Sequence, residues 1–504
     1  MDPGDNAAER SLSIPIGGEF GTSVQMNTIR DVIDFHEKRI KCTHGYPRIV
    51  PHTVVTSRES EAAARSGLKY AVAFPVVSQA EFMIGDLSLR TGGAPPYFES
   101  PGISALLDLV HGTKTGSSDH GAIKLTTSGN LTFACTDNQE LSEKLRYIRR
   151  VWGSAFDVHG LAGKAVPRPV GYSRQGLLDS ISQLEGGPSG STLDFQSGMA
   201  AVSSIFLAML GQGRRIILIG PSYVDTGVMV TQWPSEAHGL KAAWLPSAET
   251  LEDELKKGPA FVFFEAPTNP CLTLPDISAI LDSASRHKAV TGVDATLATP
   301  YNFRPLKRGF DISMHSTSKF LSGGYRHLGG VVTAGDRSIL KLISIVRDEL
   351  DLGMCENQSH ILFEGVHGFK PRMERINDNA AEIVERLLGS PVIGNVMYPG
   401  LGSGEQRRIC SDYLSPGRSG VLSFVLKDES MEAFADFHDN IRPPVMKGPG
   451  LGGEISLMCP YSLVAHYKAD PGFLAARGMH PHLLRLSVGV EDPDEIWNAM
   501  RLDR

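Results

Sequence analysis

Asp311-Ile312-Ser313-Met314-His315-Ser316-Thr317-Ser318-Lys319 sets a lysine just past a short apolar, strand-like stretch, and small residues follow it, Ser322-Gly323-Gly324 and then Gly329-Gly330-Val331-Val332. That is a cramped place for a side chain that usually sits in water. A lysine placed so can hold a cofactor aldehyde as a Schiff base, and partial burial favours the neutral, nucleophilic amine. Working outward, residues 215–220, 242–245, 261–264, 291–294 and 330–334 read as short apolar strands separated by helical stretches. This alternation predicts an α/β fold with a mostly parallel sheet and helices on both faces.

Three further segments lie at element ends where ligands usually bind in such sheets: Ser197-Gly198-Met199 opening a helix, Glu265-Ala266-Pro267-Thr268-Asn269-Pro270 closing a strand, and Asp294 closing the next. Ser197-Gly198-Met199 opens a run with apolar residues Met199, Val202, Ile205, Phe206, Met209 and Leu210, a spacing of three and four that predicts a helix with one buried face. Its start is an anion site, where free amides and the helix dipole point outward and Gly198 admits a dianion close to the backbone. Ser316 and Ser318 can add hydroxyl donors. Asp294 closes the apolar run of residues 289–293; opposite a ring nitrogen, its carboxylate would keep that nitrogen protonated. Tyr223, after the strand of residues 215–220, can stack on a ring face. Singly, each has a plain structural reading, as cap, turn or packing residue; together they suit one molecule with a phosphate, a protonatable ring and an aldehyde.

In order along the chain stand Tyr172-Ser173-Arg174, Leu184-Glu185-Gly186-Gly187, Ser197-Gly198-Met199-Ala200-Ala201, Tyr223 with Thr226, Glu265-Ala266-Pro267-Thr268-Asn269-Pro270, Asp294-Ala295-Thr296, Ser316-Thr317-Ser318-Lys319, Asn379-Ala380, Leu422-Ser423-Phe424 and Arg485-Leu486-Ser487-Val488-Gly489. Equal spacings separate Asn269 from Asp294 and Asp294 from Lys319. From Tyr172 to Leu486 the chain resembles the Cys/Met-metabolism, or trans-sulfuration, family of pyridoxal-phosphate enzymes. The resemblance implies a fold type I (aspartate-aminotransferase-like) large domain with a smaller C-terminal α+β domain. It implies that Lys319 carries pyridoxal 5'-phosphate, that Asp294 pairs with the ring nitrogen, and that Tyr223 stacks on the ring. Ser197, Gly198, Met199, Ser316 and Ser318 would hold the phosphate. Tyr172 and Arg174 would reach the site of a neighbouring subunit, in a homodimer or a homotetramer of two dimers. Arg485 would clamp the substrate carboxylate, a role that its planar fork also suits chemically. Asn269 would serve either the cofactor or that carboxylate.

More weakly, Gly45-Tyr46-Pro47-Arg48, residues 70–75 and Gly102-Ile103-Ser104 resemble the extra leading region of fungal cystathionine γ-synthases. No catalytic or metal spacing occurs before residue 165, so a supporting role is expected there. The expected domains are a leading extension, 1–165, a cofactor domain, 166–370, and a small domain, 371–504. The chain also departs from the family pattern. Arg174 is followed by Gln175-Gly176-Leu177-Leu178 rather than Asn-Pro-Thr, and Gly324-Tyr325-Arg326-His327 replaces the usual His-Ser-Asp turn. Ser318 stands where Thr is usual, and Gly450 where a Ser precedes Leu-Gly. These changes bear on the second substrate. By composition the patch of residues 447–453 reads as a linker, yet family order sets it beside the site.

The 504 residues, 41% hydrophobic and 21% charged, suffice for large cores. A formal charge of −7 offers no electrostatic case for nucleic acid. No run approaches about 18 apolar residues, and the acidic start is unlike a targeting peptide. Six scattered cysteines without metal spacing suggest reduced thiols and a cytoplasmic location. The resemblance implies γ-replacement on an O-acyl-L-homoserine, through a vinylglycine ketimine, with L-cysteine giving cystathionine. Sulfide or a carbon nucleophile, a cystathionine lyase, and a catalytically silent paralogue are the alternatives.

Overall fold

The computed structural model describes residues 11–12, 15–16, 19–20, 22–42, 52–90, 106–107, 123–231 and 242–502. The motifs at 45–48 and 102–104 lie outside the described residues. At the centre is a seven-stranded sheet, in spatial order Ala242–Leu245, Arg215–Ile219, Ala260–Glu265, Val290–Asp294, Ile312–His315, Gly330–Ala334 and Thr192–Phe195. The first five strands are mutually parallel, and Gly330–Ala334 runs antiparallel to both its neighbours. Ala260–Glu265 is buried end to end and Arg215–Ile219 in all but its first residue, so they read as continuous apolar runs rather than alternating ones. Register aligns Glu265 with Asp294 and Asp294 with Met314, which delivers Glu265, Asp294 and the Ser316–Lys319 turn to one edge of the sheet.

The helix expected after Ser197 is present as Gly198–Gly211, but every residue from Gly198 to Met209 is buried, not one face. It lies between the sheet and the leading region: Phe82, Leu145 and Trp152 share a core with Met199, Ile205 and Phe206. Two packing partners leave it no solvent side. In the leading region a three-stranded antiparallel sheet (Tyr70–Phe74, Leu131–Thr136, Lys124–Ser128) carries the helices Thr53–Ser66, Val77–Arg90 and Gln139–Trp152.

Past the start of the long helix Phe369–Gly389, the chain builds a five-stranded sheet in the order Ile393–Met397, Val421–Leu426, Leu484–Ser487, Leu457–Pro460, Met446–Lys447. The leading region reaches this unit too. Thr28 caps the helix Ile29–His36 in a reciprocal box with Asp31, and Ile29 joins the core of Leu422, Phe434 and Leu486. The described part of the leading region thus packs on both the central sheet and the C-terminal unit. Among the described residues, no helix is long and apolar enough to cross a membrane.

Candidate active site

The site begins at the helix start. The Ser197 hydroxyl accepts from the Ala200 amide at 3.0 Å and donates to the Gly153 carbonyl at 2.5 Å. The amides of Gly198 and Met199, one turn too early for an intrahelical partner, remain for an anion. Three glycines let neighbours close on this turn. A Cβ on Gly153 (φ +87°) would fall inside the Ala200 backbone, one on Gly330 would lie 2.6 Å from the Ser197 carbonyl oxygen, and one on Gly198 would lie 2.9 Å from the Ser316 Cβ. Gly198 is therefore required by Ser316 as well as by any ligand, and the contact sets Ser316 beside the free amides.

Ser316 is tied to Asp294 through Thr296. The Thr296 hydroxyl accepts from the Ser316 amide at 2.8 Å, and its own hydroxyl and amide both donate to Asp294 Oδ1. Burial pushes the Asp294 carboxyl up, opposed by the Thr296 bonds and the nearby His315 and Lys319. On the adjacent strand Glu265 is pushed well above the usual carboxylate range, by burial first and then by the charge of Asp294. Glu265 accepts from the Tyr223 amide and, at 3.3 Å, from the Asn269 amide, so one carboxyl holds the loops that present both residues.

Lys319 is half-buried, and the loop of residues 447–453 packs directly on its backbone: a Cβ on Gly452 would lie 3.0 Å from the Lys319 Cα. The patch that reads as a linker is a wall of the site. Arg485, 4% exposed, donates to Asn269 Oδ1 at 3.0 Å and to the carbonyls of Pro449 (2.7 Å) and Gly450 (3.4 Å). Its Nε is buried without a partner, a donor placed for an acceptor that the chain does not supply. Tyr461 completes this corner, its hydroxyl accepting from Asn269 at 3.3 Å and its ring lying 4.8 Å from the Arg485 guanidinium carbon.

Not every expected residue comes to this cluster. The Ser318 hydroxyl serves the amide and carbonyl of Gly329 at 3.0 and 3.3 Å, so in this structure it braces the turn rather than the anion cradle. Tyr172 packs edge-on against His360 and Phe363, and Arg174 pairs with Asp194 at 2.7 Å and with the Met354 carbonyl. Thr296, Tyr461 and the anchoring role of Glu265 were not anticipated. A carboxyl ending the apolar run Phe261-Val262-Phe263-Phe264 is a signal for Glu265; Tyr461, far from Asn269 along the chain, has none.

Residues 167–501 match the family described as Cys/Met metabolism PLP-dependent enzyme. The chain belongs to that family. Among its relatives are a cystathionine beta-lyase of Lactococcus lactis subsp. cremoris, 31% identical over 346 residues (67% of this chain, 89% of the relative), and the chloroplastic cystathionine gamma-synthase 1 of Nicotiana tabacum, 31% identical over 327 residues (64% of this chain, 58% of the relative). The crystal structure of cystathionine gamma synthase from Xanthomonas oryzae pv. oryzae in complex with cystathionine superimposes with a TM-score of 0.60 at 26% identity, over 65% of this chain and 84% of that one. This is a fold type I enzyme dependent on pyridoxal phosphate, and its relatives include both synthases and lyases. The arrangement fits that cofactor, with free amides at a glycine-lined helix start, an acid at a strand end and a lysine beside it.

Proposed function

We propose that this member of the family catalyses γ-replacement on an O-acyl-L-homoserine, with L-cysteine as the incoming nucleophile and cystathionine as the product. The observation that carries the reading is Arg485, whose buried, unpartnered Nε and two anchored nitrogens form a socket for a substrate α-carboxylate next to Lys319 and Asp294. When bound, pyridoxal phosphate supplies an aldehyde for an amine and a ring that withdraws electrons. Gly198, Met199 and Ser316 would hold its phosphate, Asp294 its ring nitrogen, Tyr223 its face and Lys319 its aldehyde.

The remaining work falls to the chain. Arg485 and Asn269 fix the carboxylate and so decide which substrate bond is aligned for cleavage. Lys319 Nζ, once free, takes the proton from the substrate Cα and then helps remove one from Cβ, so that the acyloxy group can leave from Cγ. Residues 22–26 cover the wall of residues 447–453 and limit water, which favours capture by a thiol over hydrolysis. Tyr172 and Arg174 are read as serving the site of a second copy. In support, Val170, just before them, is 100% exposed, and within its own chain Arg174 is paired with Asp194.

Elimination is the second reading, favoured by the lyase relative at equal identity. Product identification by mass separates the two. With O-acetyl-L-homoserine and cysteine, cystathionine is expected; sulfide and a β-keto acid serve as competing nucleophiles. Keto-acid release from cystathionine alone, with no replacement product from O-acetyl-L-homoserine, would make the protein a lyase.

A further inference from the structure

The carboxylate socket is built partly by a residue far outside the region that matches the family. The amide of Gly450 donates to the Ser23 hydroxyl at 3.0 Å. A Cβ on Gly450 would lie 2.9 Å from that hydroxyl oxygen and 3.0 Å from the Ser23 Cβ, so Ser23 fills the space that a side chain at 450 would occupy. The φ of Gly450 is not in the left-handed region. Its lack of a side chain therefore answers a spatial demand, set by Ser23 together with Leu457, whose Cδ1 would lie 3.0 Å from the same Cβ. The family pattern has a serine at this place, and here the hydroxyl arrives from a different part of the chain.

The contact belongs to a continuous seam. Phe20 lies between the rings of His52 and His159, with centroids 5.4 and 4.0 Å away. The Thr22 amide then donates to the Tyr325 carbonyl at 2.5 Å, and the Met26 amide to the Lys447 carbonyl at 3.0 Å. Gly448 is pressed on the same strand, since a Cβ there would lie 2.6 Å from the Val24 carbonyl oxygen. Tyr325, in the turn that departs from the family pattern, accepts from the Gly453 amide at 3.2 Å and donates to the Ile455 carbonyl at 2.9 Å. Ser23 itself is 0% exposed. The peptide it holds, Pro449–Gly450, is the one whose carbonyl anchors Arg485 at 2.7 Å.

We propose that Ser23 is a positioning residue for substrate recognition: by fixing the Gly450 peptide it aims Arg485 at the α-carboxylate, and the leading segment is thereby a working part of the active site. This rests on the reading of Arg485 as the carboxylate clamp. The test uses the full-length holoenzyme, titrated calorimetrically with L-norleucine and with L-norleucine amide, which share a side chain and differ in the carboxylate. Ser23→Ala is expected to bind L-norleucine about tenfold more weakly, the effect of one buried hydrogen bond, with amide binding unchanged. Gly450→Ser alone, which crowds Ser23, should lose at least as much. Combining Ser23→Gly with Gly450→Ser moves the hydroxyl across the contact and should recover most of the loss, as coupled neighbours do. Equal weakening of both ligands by Ser23→Ala, or a double variant no better than Gly450→Ser, overturns the proposal. Arg485→Lys separates the two ways of failing. If the preference for acid over amide survives in Arg485→Lys, the clamp reading falls and takes the proposal with it. If the preference collapses there but persists in Ser23→Ala, only the role of Ser23 is refuted.

Discussion

Glu265 decides which carboxyl of the Glu265–Asp294 pair carries the charge, and replacing it tests this directly. It ends an apolar strand, 4% exposed, with its backbone in register with Asp294 on the next strand. Burial and the charge of Asp294 push its carboxyl well above the ordinary range, whereas the Thr296 bonds, His315 and Lys319 favour the Asp294 anion. The proton of the pair therefore belongs on Glu265 and the charge on Asp294, the arrangement that a protonated ring nitrogen needs.

Glutamine has the shape of a protonated glutamate, so Glu265→Gln should behave differently on the two sides of that titration. A carboxyl whose folded pKa lies above its unfolded value of about 4.3 holds more protons folded than unfolded. Its stability contribution is then greatest below the unfolded value and falls as pH rises through the folded one, by at most about 1.4 kcal/mol per pH unit for one proton. The variant lacks this slope. It also carries a fixed loss, because a single amide oxygen cannot accept both the Tyr223 and Asn269 amides that Glu265 serves. Leaving one of them unpaired costs about 1–2 kcal/mol. The expected result is a variant less stable than wild type near the unfolded value that gains on it as pH rises above that value. Urea unfolding of the cofactor-free chain from that value upward reads the difference. Parallel stability curves for the two proteins would refute the assignment of the proton to Glu265.

Borohydride reduction of the holoenzyme followed by peptide mapping should leave the cofactor label on the peptide that contains Lys319, and Lys319→Ala should carry none; a label elsewhere removes the basis of the proposed site. Arg485→Lys should raise KM for amino-acid substrates by about 10- to 100-fold, since an ammonium cannot reproduce a bidentate fork; a fall in kcat at unchanged KM would contradict the clamp. Gly153→Ala combines a left-handed backbone with a Cβ inside the Ala200 backbone, so a loss of about 3 kcal/mol is expected, seen as a lower unfolding midpoint and weaker cofactor binding. An unchanged midpoint would show that the turn at Gly198 is not held by this packing.

What was legible in the sequence follows from how each feature is encoded. The central parallel strands announce themselves because burial on both faces demands unbroken apolar runs, as in Phe261-Val262-Phe263-Phe264. Thr192–Phe195 escaped the reading, since its four residues include Asp194, whose carboxylate is matched by Arg174 and Arg347 from distant elements. The spacing of the Gly198–Gly211 helix marks a face toward the sheet but carries no sign of the second layer supplied by Phe82 and Trp152. At the site, Asp294 and Lys319 were readable because Asp294 ends an apolar strand and Lys319 stands in the turn just after another. The pairing of Asp294 with Glu265 depends on strand register, which no local pattern specifies.

The departures from the family pattern show a further limit of reading along the chain. Gly450 and the Gly324-Tyr325-Arg326 turn look like separate departures from the family pattern and suggest an altered second substrate. In three dimensions both lie against one strand of the leading region, with Thr22 bonded to Tyr325 and Ser23 to Gly450. A missing side chain in one segment is thus matched by a side chain from another segment 427 residues away. Close packing explains why the two must agree, since a buried space the size of a serine is neither left empty nor filled twice without cost. The leading region and the loop of residues 447–453 therefore constrain each other at these contacts. A substitution in either should be tolerated only when the other compensates.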